Sequence, residues 1–525
     1  MWPSSRLVSL GGEDSALPPT MRHGLAPDTL SPAMNLVLNF LYAYLPQPPI
    51  STAVSLRCAA DDNNSADRVS SLPDDLLRHV VSLLPAKDGA RTTALSSRWR
   101  HLWRSTPLVL VDTHLLPGGD AELRPARACA ASRAVTNAVS AVLESHPGPF
   151  PFVSLTCSFM DLADRRQLAR WFQLLATKGV DDLVFLNRPW PLPGLPLPSA
   201  IFSCASLRRL CIGTWVFPDT ATVPRGAAFP NLREILLGCT IMQDKDLEFV
   251  LAVSPVLEML AVVGSQTQLH ARLASRSLRC AQFCLSILEE VAVVDAPSLE
   301  RLFLWRNFSQ RRRRVSKFST ILKIAHAPKL LILGYLEPGV HMLQIGNTII
   351  KAGTKASTRT TVSSVQMLAL HLQFEVYDQV KMLPSFLRCF PSIDTLIVES
   401  EETLEPSSNL GLKFWKDTIP IDCVKSHLKI VYLREMQGTK NEFDFLMFIA
   451  ENAQKLEKMF IVLKNVLSYT SREAVAAKLN ALDSANWASG SCKTLFKFSR
   501  THGGGSAWNL KTGSDFSCPD PFCCV

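Results

Sequence analysis

Two hydrophobic patterns divide this chain of 525 residues. Between residues 67 and 103, aliphatic side chains recur at helical spacing, whereas short apolar runs follow one another at wider intervals beyond Thr106. The first pattern is typical of amphipathic helices, and the second is typical of a repeat that supplies one short strand per unit. The pattern therefore predicts a small helical domain followed by a longer repeat domain.

The first predicted helix lies between two prolines. Pro73 suits a first helical position, and Asp74 and Asp75 place negative charge where the helix dipole favours it. Pro85 ends the helix, because proline cannot continue it. The apolar residues between the prolines fall at helical spacing and make one side almost wholly aliphatic: Leu76, Leu77, Val80, Val81, Leu83 and Leu84.

Two further helical pieces follow the first helix. A brief helical stretch is predicted at residues 90–95, and Ser97 can cap a third helix that carries Trp99 and Trp103 one turn apart. So short a unit cannot bury all of these apolar side chains within itself.

The segment resembles an F-box. Leu72 with Pro73, Leu76 with Leu77, Leu84 with Pro85, and LSSRWRHLW at residues 95–103 occur in the order of that family. The resemblance implies docking onto the Skp adaptor of a cullin-RING ubiquitin ligase, while the rest of the chain selects the target. For any single leucine, the alternative is the core of an ordinary helical bundle. The residues predicted to contact the adaptor, some of which will instead be core, are Leu72, Pro73, Leu76, Leu77, Val80, Leu84, Pro85, Leu95, Trp99 and Trp103.

The region beyond Thr106 is repetitive. Segments of the form Leu-x-x-apolar-x-apolar begin at or around Leu183, Leu207, Leu232, Leu257, Leu278 and Leu299, at intervals of 24, 25, 25, 21 and 21 residues. These intervals lie within the leucine-rich-repeat period. A proline two residues ahead of the repeat leucine, or of its isoleucine equivalent, recurs in five places, where its fixed φ can set the chain's course into a strand: Pro230, Pro255, Pro297, Pro328 and Pro391.

Stacked units of this kind predict an α/β solenoid, an irregular leucine-rich-repeat horseshoe in which each unit supplies one parallel strand and a return segment. The irregularity is expected because there is no regular Asn ladder, the LRCAQF segment matches poorly, and an insertion, FSQRRRRVSKFS, follows the sixth segment. Later strands are predicted at Leu330, Leu343, Val365 and Ile393.

Residues 424–463 resemble the FBD region at the C-terminus of many plant F-box and leucine-rich-repeat proteins. The local pattern predicts a strand at 427–433, an amphipathic helix at about 441–452 and a strand at 456–463. We expect this α+β region to cap the last repeat strand, which would otherwise be an exposed edge.

Composition and charge fit an intracellular binding protein. The hydrophobic content of 47% indicates a folded chain, and a net charge of +9 is modest for nucleic-acid binding, which is not expected. The 14 cysteines are scattered singly, as expected of reduced thiols in the cytosol or nucleus. Residues 1–64 show no sustained periodicity, which predicts a disordered leader. The apolar run at 34–45 is too short to span a bilayer and is read as a peripheral helix or an inaccurate gene start.

Candidate catalytic chemistry is absent from the sequence. There is no Gly-x-Ser-x-Gly, His-Glu-x-x-His or Walker-type motif, and Cys518, Cys523 and Cys524 lack the spacing of zinc ligands. No cofactor and no membrane attachment are expected. The one concentrated charge feature is the run Arg311, Arg312, Arg313 and Arg314, which is a solvated loop, a nuclear-import patch or a site for an acidic partner.

The sequence thus predicts a disordered leader at 1–64, an F-box at 65–106, leucine-rich repeats at 107–400, an FBD-like region at 401–465 and a weakly defined tail at 466–525. The predicted function is a non-catalytic substrate-recognition subunit of a Skp-cullin-F-box ubiquitin ligase, with an unknown protein target bound by the repeats. The alternative is an interaction scaffold whose F-box is decayed or serves outside ubiquitination.

Overall fold

A computed structural model describes residues 32–50, 69–115, 125–187, 194–223, 226, 228–307, 320–403, 414–415, 421–464, 475, 479, 482, 486–490, 492–498 and 508–522. The chain forms two compact units. The N-terminal unit comprises Leu17–Met242 and Ala252–Leu257, and the C-terminal unit includes Gln243–Leu251 and Glu258–Val525.

The N-terminal unit begins with helices. The three predicted F-box helices are present as α2 (Asp74–Ser82), α3 (Ala86–Arg91) and α4 (Ser97–Ser105), with a 3-10 turn at Thr92–Ala94 between the last two. Three details differ from the sequence prediction. Helix α2 starts one residue after Pro73, α3 begins at Ala86 and not near Ala90, and the cap of α4 is Ser96, whose side chain accepts from the N–H of Trp99. Among the described residues, the other α-helices of this unit are α1 (Pro32–Tyr44), α5 (Pro125–Ser145) and α6 (Arg165–Lys178).

A parallel sheet follows the F-box in the same unit. Its strands pair in chain order: β1 (Val109–Val111), β2 (Phe150–Leu155), β3 (Val180–Leu186), β4 (Arg209–Gly213) and β5 (Glu234–Gly238). On β3, Phe185 packs its ring against Trp171 and Phe172 of α6, at centroid distances of 6.2 and 5.6 Å. Successive strand side chains point to opposite faces, so Leu186 faces away from α6.

Helix α1 packs on the face of this sheet opposite to α6. Gly238 is in register with Gly213, which is in register with Leu186, and a Cβ on Gly238 would lie 2.5 Å from the side chain of Leu41. Leu41 itself is fully buried. Helix α1 is therefore packed into the unit and is not the peripheral helix that was expected. Residues 1–31 and 51–64 of the predicted leader lie outside the described residues.

The C-terminal unit contains a larger parallel ladder. Its strands, in spatial order, are β6 (Met259–Val263), β8 (Cys280–Cys284), β10 (Arg301–Trp305), β12 (Ile332–Leu336), β15 (Met367–Leu372), β16 (Thr395–Ser400), β17 (Ile430–Met436), β18 (Lys458–Leu463) and β19 (Lys493–Phe498). All six repeat segments found by sequence form strands in one unit or the other, including the poorly matching LRCAQF. The prediction of stacked parallel strands is confirmed.

Some of the return segments between the repeat strands of this unit also form strands. A second sheet has the order β14 (Thr348–Ile349), β13 (Met342–Ile345), β11 (Ile321–Ile324), β9 (Leu288–Asp295) and β7 (Leu269–Ala274). The strand predicted at Leu343 is β13 and belongs to this second sheet. The helices of this unit that lie wholly within the described residues include α7 (Asp244–Val253), α8 (Tyr377–Arg388), α9 (Asp422–Ser426), α10 (Lys440–Asn452) and α11 (Leu510–Ser514).

The recurrent prolines open each repeat with the same tight turn. In all five places, the carbonyl of the residue before the proline accepts the N–H of the repeat leucine or isoleucine, as from Leu299 to Ala296 at 3.1 Å and from Leu330 to Ala327 at 3.2 Å. Proline therefore occupies the second position of a four-residue turn, which its fixed φ favours. The strand begins two residues after the leucine, so the missing N–H of proline removes no ladder hydrogen bond.

The FBD-like region extends the ladder with β17 and β18. Helix α10 lies between them, and Thr439 and Glu442 form a reciprocal capping box at its start. Strand β18 is followed by β19 in parallel register, so within the described residues the outer strand comes from the segment beyond the FBD-like region. The region therefore continues the sheet, and does not close it as the predicted cap would.

Candidate functional site

The F-box has a small apolar core of its own. Leu77 and Val81 of α2 pack against Trp99 and Leu102 of α4, and all four side chains are buried. The half-buried Leu72 and Trp103 pack against the same cluster. This cluster holds α2 against α4 and places Leu77 and Trp99, both predicted to contact the adaptor, in the core of the F-box.

An arginine clamp fixes the segment that leads into α2. The guanidinium of Arg98 on α4 donates to the carboxylate of Asp74 at 2.6 and 2.8 Å and to the carbonyls of Ser70 and Leu72 at 2.5 and 2.7 Å. The hydrogen bond from Arg98 lowers the pKa of Asp74. The start of α2 is thereby tied to α4, which orients the exposed side of α2.

That exposed side carries an apolar stripe. Leu76, Val80 and Leu83 follow one another at helical spacing along α2 and its C-terminal end, and they are 52%, 40% and 39% exposed. Leu95, after the 3-10 turn, is 67% exposed. We name these four residues, together with the exposed Pro73, the docking stripe. The salt bridge between Arg78 and Asp75, at 2.6 Å, lies on the same helix.

The structure thus divides the predicted adaptor residues into three groups. Pro73, Leu76, Val80 and Leu95 are exposed, Leu77 and Trp99 are core, and the rest are half-buried: Leu72, Leu84, Pro85 and Trp103. Sequence reasoning did not assign Leu83 to the surface, although its position seven residues after Leu76 gives the signal.

Trp103 and His146 join the F-box to the first repeat strands. The Nδ1 of His146 accepts from the N–H of Gly148 at 3.0 Å, so Nε2 carries the proton and donates to the carbonyl of Trp103 at 3.1 Å. The two rings meet edge to face with centroids 4.7 Å apart. Burial lowers the pKa of His146, so the imidazole is neutral in this contact.

A second group of side chains lies on one face of the repeat strands in the C-terminal unit, where all of its members are buried. Arg301, Phe303 and Trp305 of β10 point to one face, and Leu302 and Leu304 point to the other. Tyr335 of β12 stacks on His371 of β15 with ring centroids 4.4 Å apart. We call the set Arg301, Phe303, Trp305, Tyr335 and His371 the aromatic face.

A buried ion pair borders the aromatic face. Burial disfavours a charge on His371, but the neighbouring Glu399 outweighs it and raises the pKa of the imidazole; the Nε2 to Oε2 distance is 3.5 Å. Burial likewise opposes ionisation of Glu399, yet the charge of His371 holds the pKa of the carboxyl below its usual value. Arg306 lies 3.8 Å from the same carboxylate. The two shifts favour opposite charges on His371 and Glu399, and the carboxylate lies beside the imidazole that stacks on Tyr335.

The described residues offer no metal centre and no bilayer-spanning helix. No group of three or more His, Cys, Asp or Glu side chains that could hold a metal ion occurs among them. Within the same residues, no helix has the length and hydropathy needed to cross a membrane. Cys518 donates to the carbonyl of Asp520, whereas Cys523, Cys524 and the arginine run at 311–314 lie outside the described residues.

Comparison with known proteins identifies the family to which this chain belongs. The F-box domain matches residues 69–110, the leucine-rich repeats of FBD-associated F-box protein At5g56370 match residues 168–398, and the FBD domain matches residues 416–461. The chain is a plant F-box and leucine-rich-repeat protein with an FBD domain. The resemblance seen in the sequence is confirmed, and the chain is an F-box substrate-recognition protein.

Relatives of this F-box protein come from Arabidopsis thaliana. F-box/LRR-repeat protein 13 is 26% identical over 447 residues, which cover 77% of this chain and 91% of the relative. FBD-associated F-box protein At4g13985 is 25% identical over 444 residues, covering 78% and 92%. F-box/LRR-repeat protein At3g59200 is 31% identical over a shorter stretch of 245 residues, 45% of each chain.

Proposed function

We propose that this F-box protein is the substrate-recognition subunit of a Skp-cullin-F-box ubiquitin ligase. The F-box binds a Skp-type adaptor through the docking stripe, and the repeat strands bind a protein target. The observation that supports the adaptor role most directly is the exposure of Leu76, Val80, Leu83 and Leu95 on a domain whose core is already complete.

The two sides of α2 show why this exposure matters. Leu77 and Val81 fill the core, whereas Leu76 and Val80, their immediate neighbours in sequence, lie in water. Exposed apolar side chains that line up on one side of a helix mark a site of protein association, because association removes them from water. A helix that served only its own domain would carry polar residues on this side.

The ligase mechanism needs no chemistry from this chain. F-box and leucine-rich-repeat proteins act in general as non-catalytic adaptors. The adaptor and cullin would bring a charged conjugating enzyme near a target held on the repeats. Binding energy then raises the effective concentration of target lysines at the thioester, while the bond-forming step takes place on other subunits.

We also propose the cytosol or nucleus as the compartment. The described cysteines are free thiols, most of them buried, which suits a reducing environment. Burial raises the pKa of several of them, that of Cys239 to about 12, so they are protonated and unreactive. The arginine run at 311–314 remains a proposed solvated loop or import patch.

Affinity capture from plant cells under proteasome inhibition tests the proposed function. The tagged wild-type chain should recover a Skp-type adaptor, a cullin and one or more ubiquitinated proteins. A variant with Leu76→Ser and Leu95→Ser should lose the adaptor and cullin but retain the target, now without ubiquitin. Recovery of partners without any adaptor from the wild-type chain would contradict the ligase role and favour an interaction scaffold.

A further inference from the structure

Residues 508–522, which we call the docked segment, cover the aromatic face. The indole of Trp508 lies 4.9 Å from the ring of Phe303 and 6.2 Å from that of Trp305. The ring of Phe522 lies 5.9 Å from Phe303 and 5.7 Å from Tyr335. Both segment side chains are fully buried. Two aromatic anchors, 14 residues apart in sequence, thus enter the same strand face.

Between the two anchors, a single arginine binds the backbone of the segment. The guanidinium of Arg301 donates to the carbonyls of Gly513 at 3.0 Å, Asp515 at 3.0 Å and Cys518 at 2.8 Å. Arg279 lies over the ring of Phe516 at 3.8 Å from its centroid. Because Arg301 donates only to backbone carbonyls here, these hydrogen bonds depend on the conformation of the turn and not on its side chains. A peptide of another sequence in the same conformation can therefore accept them.

The fit between segment and strands is incomplete at Gln282. Gln282 of β8 donates its amide to the carbonyl of Leu510 at 3.2 Å, yet its buried Oε1 accepts no hydrogen bond within the described residues. A buried acceptor without a donor costs free energy that a better-matched ligand would recover. A Cβ on Gly513 would lie 2.5 Å from that oxygen and 2.6 Å from the Nε1 of Trp508, so the turn as docked favours glycine at this position.

The covered face is the one that repeat strands do not use for their core. Leu302 and Leu304 point into the repeats, so a β10 strand without the segment would present Arg301, Phe303 and Trp305 to solvent. The segment follows β19 through residues 499–507, whose sequence includes three consecutive glycines. A tether of this length keeps the segment at a high local concentration beside its site.

We propose that the aromatic face is a peptide-binding groove, that residues 508–522 are its intramolecular occupant, and that a target binds by displacing them. The displacing peptide has the same chemistry: two aromatic side chains flanking a glycine-containing turn whose carbonyls receive the guanidinium of Arg301. The proposal deepens the proposed function and rests on it, because it names the part of the repeats where a target competes.

The test uses the full chain and a labelled synthetic peptide of residues 506–522. The wild-type chain should bind the peptide weakly, because the tethered copy competes at an effective concentration on the order of millimolar. In the full chain with Trp508→Ala, the tethered copy loses an anchor while the groove is unchanged. Its affinity for the peptide should exceed that of wild type by about 100-fold in fluorescence anisotropy. Trp487→Ala, which removes a tryptophan elsewhere in the chain, should behave as wild type.

A thiol beneath the segment gives a second readout. The Sγ of Cys280 lies 3.6 Å from the carbonyl of Gly513, and burial raises the pKa of this thiol to about 12. Maleimide should label Cys280 faster in Trp508→Ala than in wild type, and added peptide should restore protection. Adding Arg301→Ala to Trp508→Ala should abolish peptide binding.

Two results would overturn the proposal. A Trp508→Ala chain that melts cooperatively but neither binds the peptide nor exposes Cys280 would show that the face is no groove. A Trp508→Ala chain without a folding transition would show that the segment is part of the core. Adaptor binding, measured in the same samples, is independent of both readouts, so loss of the adaptor with peptide binding intact would refute only the ligase role.

Discussion

The docking stripe allows a quantitative prediction about the adaptor interface. Replacing Leu76 and Leu95 together by Ala removes the two most exposed leucines of the F-box without touching its core. Because neither side chain belongs to the cluster of Leu77, Val81, Trp99 and Leu102, the domain should keep its fold. The double variant should lose adaptor affinity and little else.

The magnitude follows from the area available for burial. Complete burial of a leucine side chain contributes roughly 1.5–3 kcal/mol. Leu76 is 52% exposed and Leu95 is 67% exposed, so docking can bury about half to two thirds of each. Their combined contribution is then about 1.8–3.6 kcal/mol, which corresponds to a loss of roughly 20- to 400-fold in Kd.

Isothermal titration of the purified Skp-type adaptor into the full chain measures this loss. Exposed substitutions should change the free energy of unfolding by less than about 0.5 kcal/mol each. The matched control is Leu77→Ala, one residue away but fully buried, which should cost about 2–5 kcal/mol of stability. A folded Leu76→Ala, Leu95→Ala chain that binds the adaptor within threefold of wild type would refute the reasoning.

Three further predictions concern the rest of the chain. Since burial lowers the pKa of His146, the contribution of the neutral imidazole to stability is present above about pH 6.5 and is lost as the pH falls toward the folded-state pKa. The melting temperature should therefore drop more from pH 7.5 to 5 in wild type than in His146→Gln. Glu442→Ala leaves the N–H groups of Gln437 and Thr439 without their acceptor, so it should lower the free energy of unfolding by roughly 1–3 kcal/mol in denaturant titration. Glu451→Ala, at an exposed position on the same helix, should leave that free energy unchanged. Equal stabilities of the two variants would contradict the capping role. Changing the four arginines at 311–314 to Ser should leave melting and adaptor binding unchanged, and movement of a tagged chain from nucleus to cytoplasm would identify an import patch, whereas unfolding would show that the run is buried.

The F-box helices were predictable because their signals are local. Pro73, Pro85 and the aliphatic positions between them are sufficient to predict α2, and the serine ahead of Trp99 predicts the cap of α4 to within one residue. Which leucines face a partner was less predictable. Leu76 and Leu77 are equivalent in the pattern, and only the position of α4 determines that the second is core.

The repeat strands were predictable from their period, but what covers them was not. Strands such as β7 alternate apolar and polar residues, yet they fall between repeat leucines, where the repeat pattern predicts only a return segment. No repeat pattern in the sequence predicts where the docked segment binds, because its contacts join Trp508 and Phe522 to strands about 200 residues earlier. A peripheral helix was one of two interpretations of residues 34–45, and its burial could not be predicted because it depends on Gly238 leaving room for Leu41.

Co-elution of the purified full chain with a Skp-type adaptor and a cullin tests the central claim most directly. Size-exclusion chromatography with light scattering should give one species whose mass equals the sum of one copy of each of the three chains. A wild-type chain that melts cooperatively yet elutes apart from the adaptor at micromolar concentration would contradict the account.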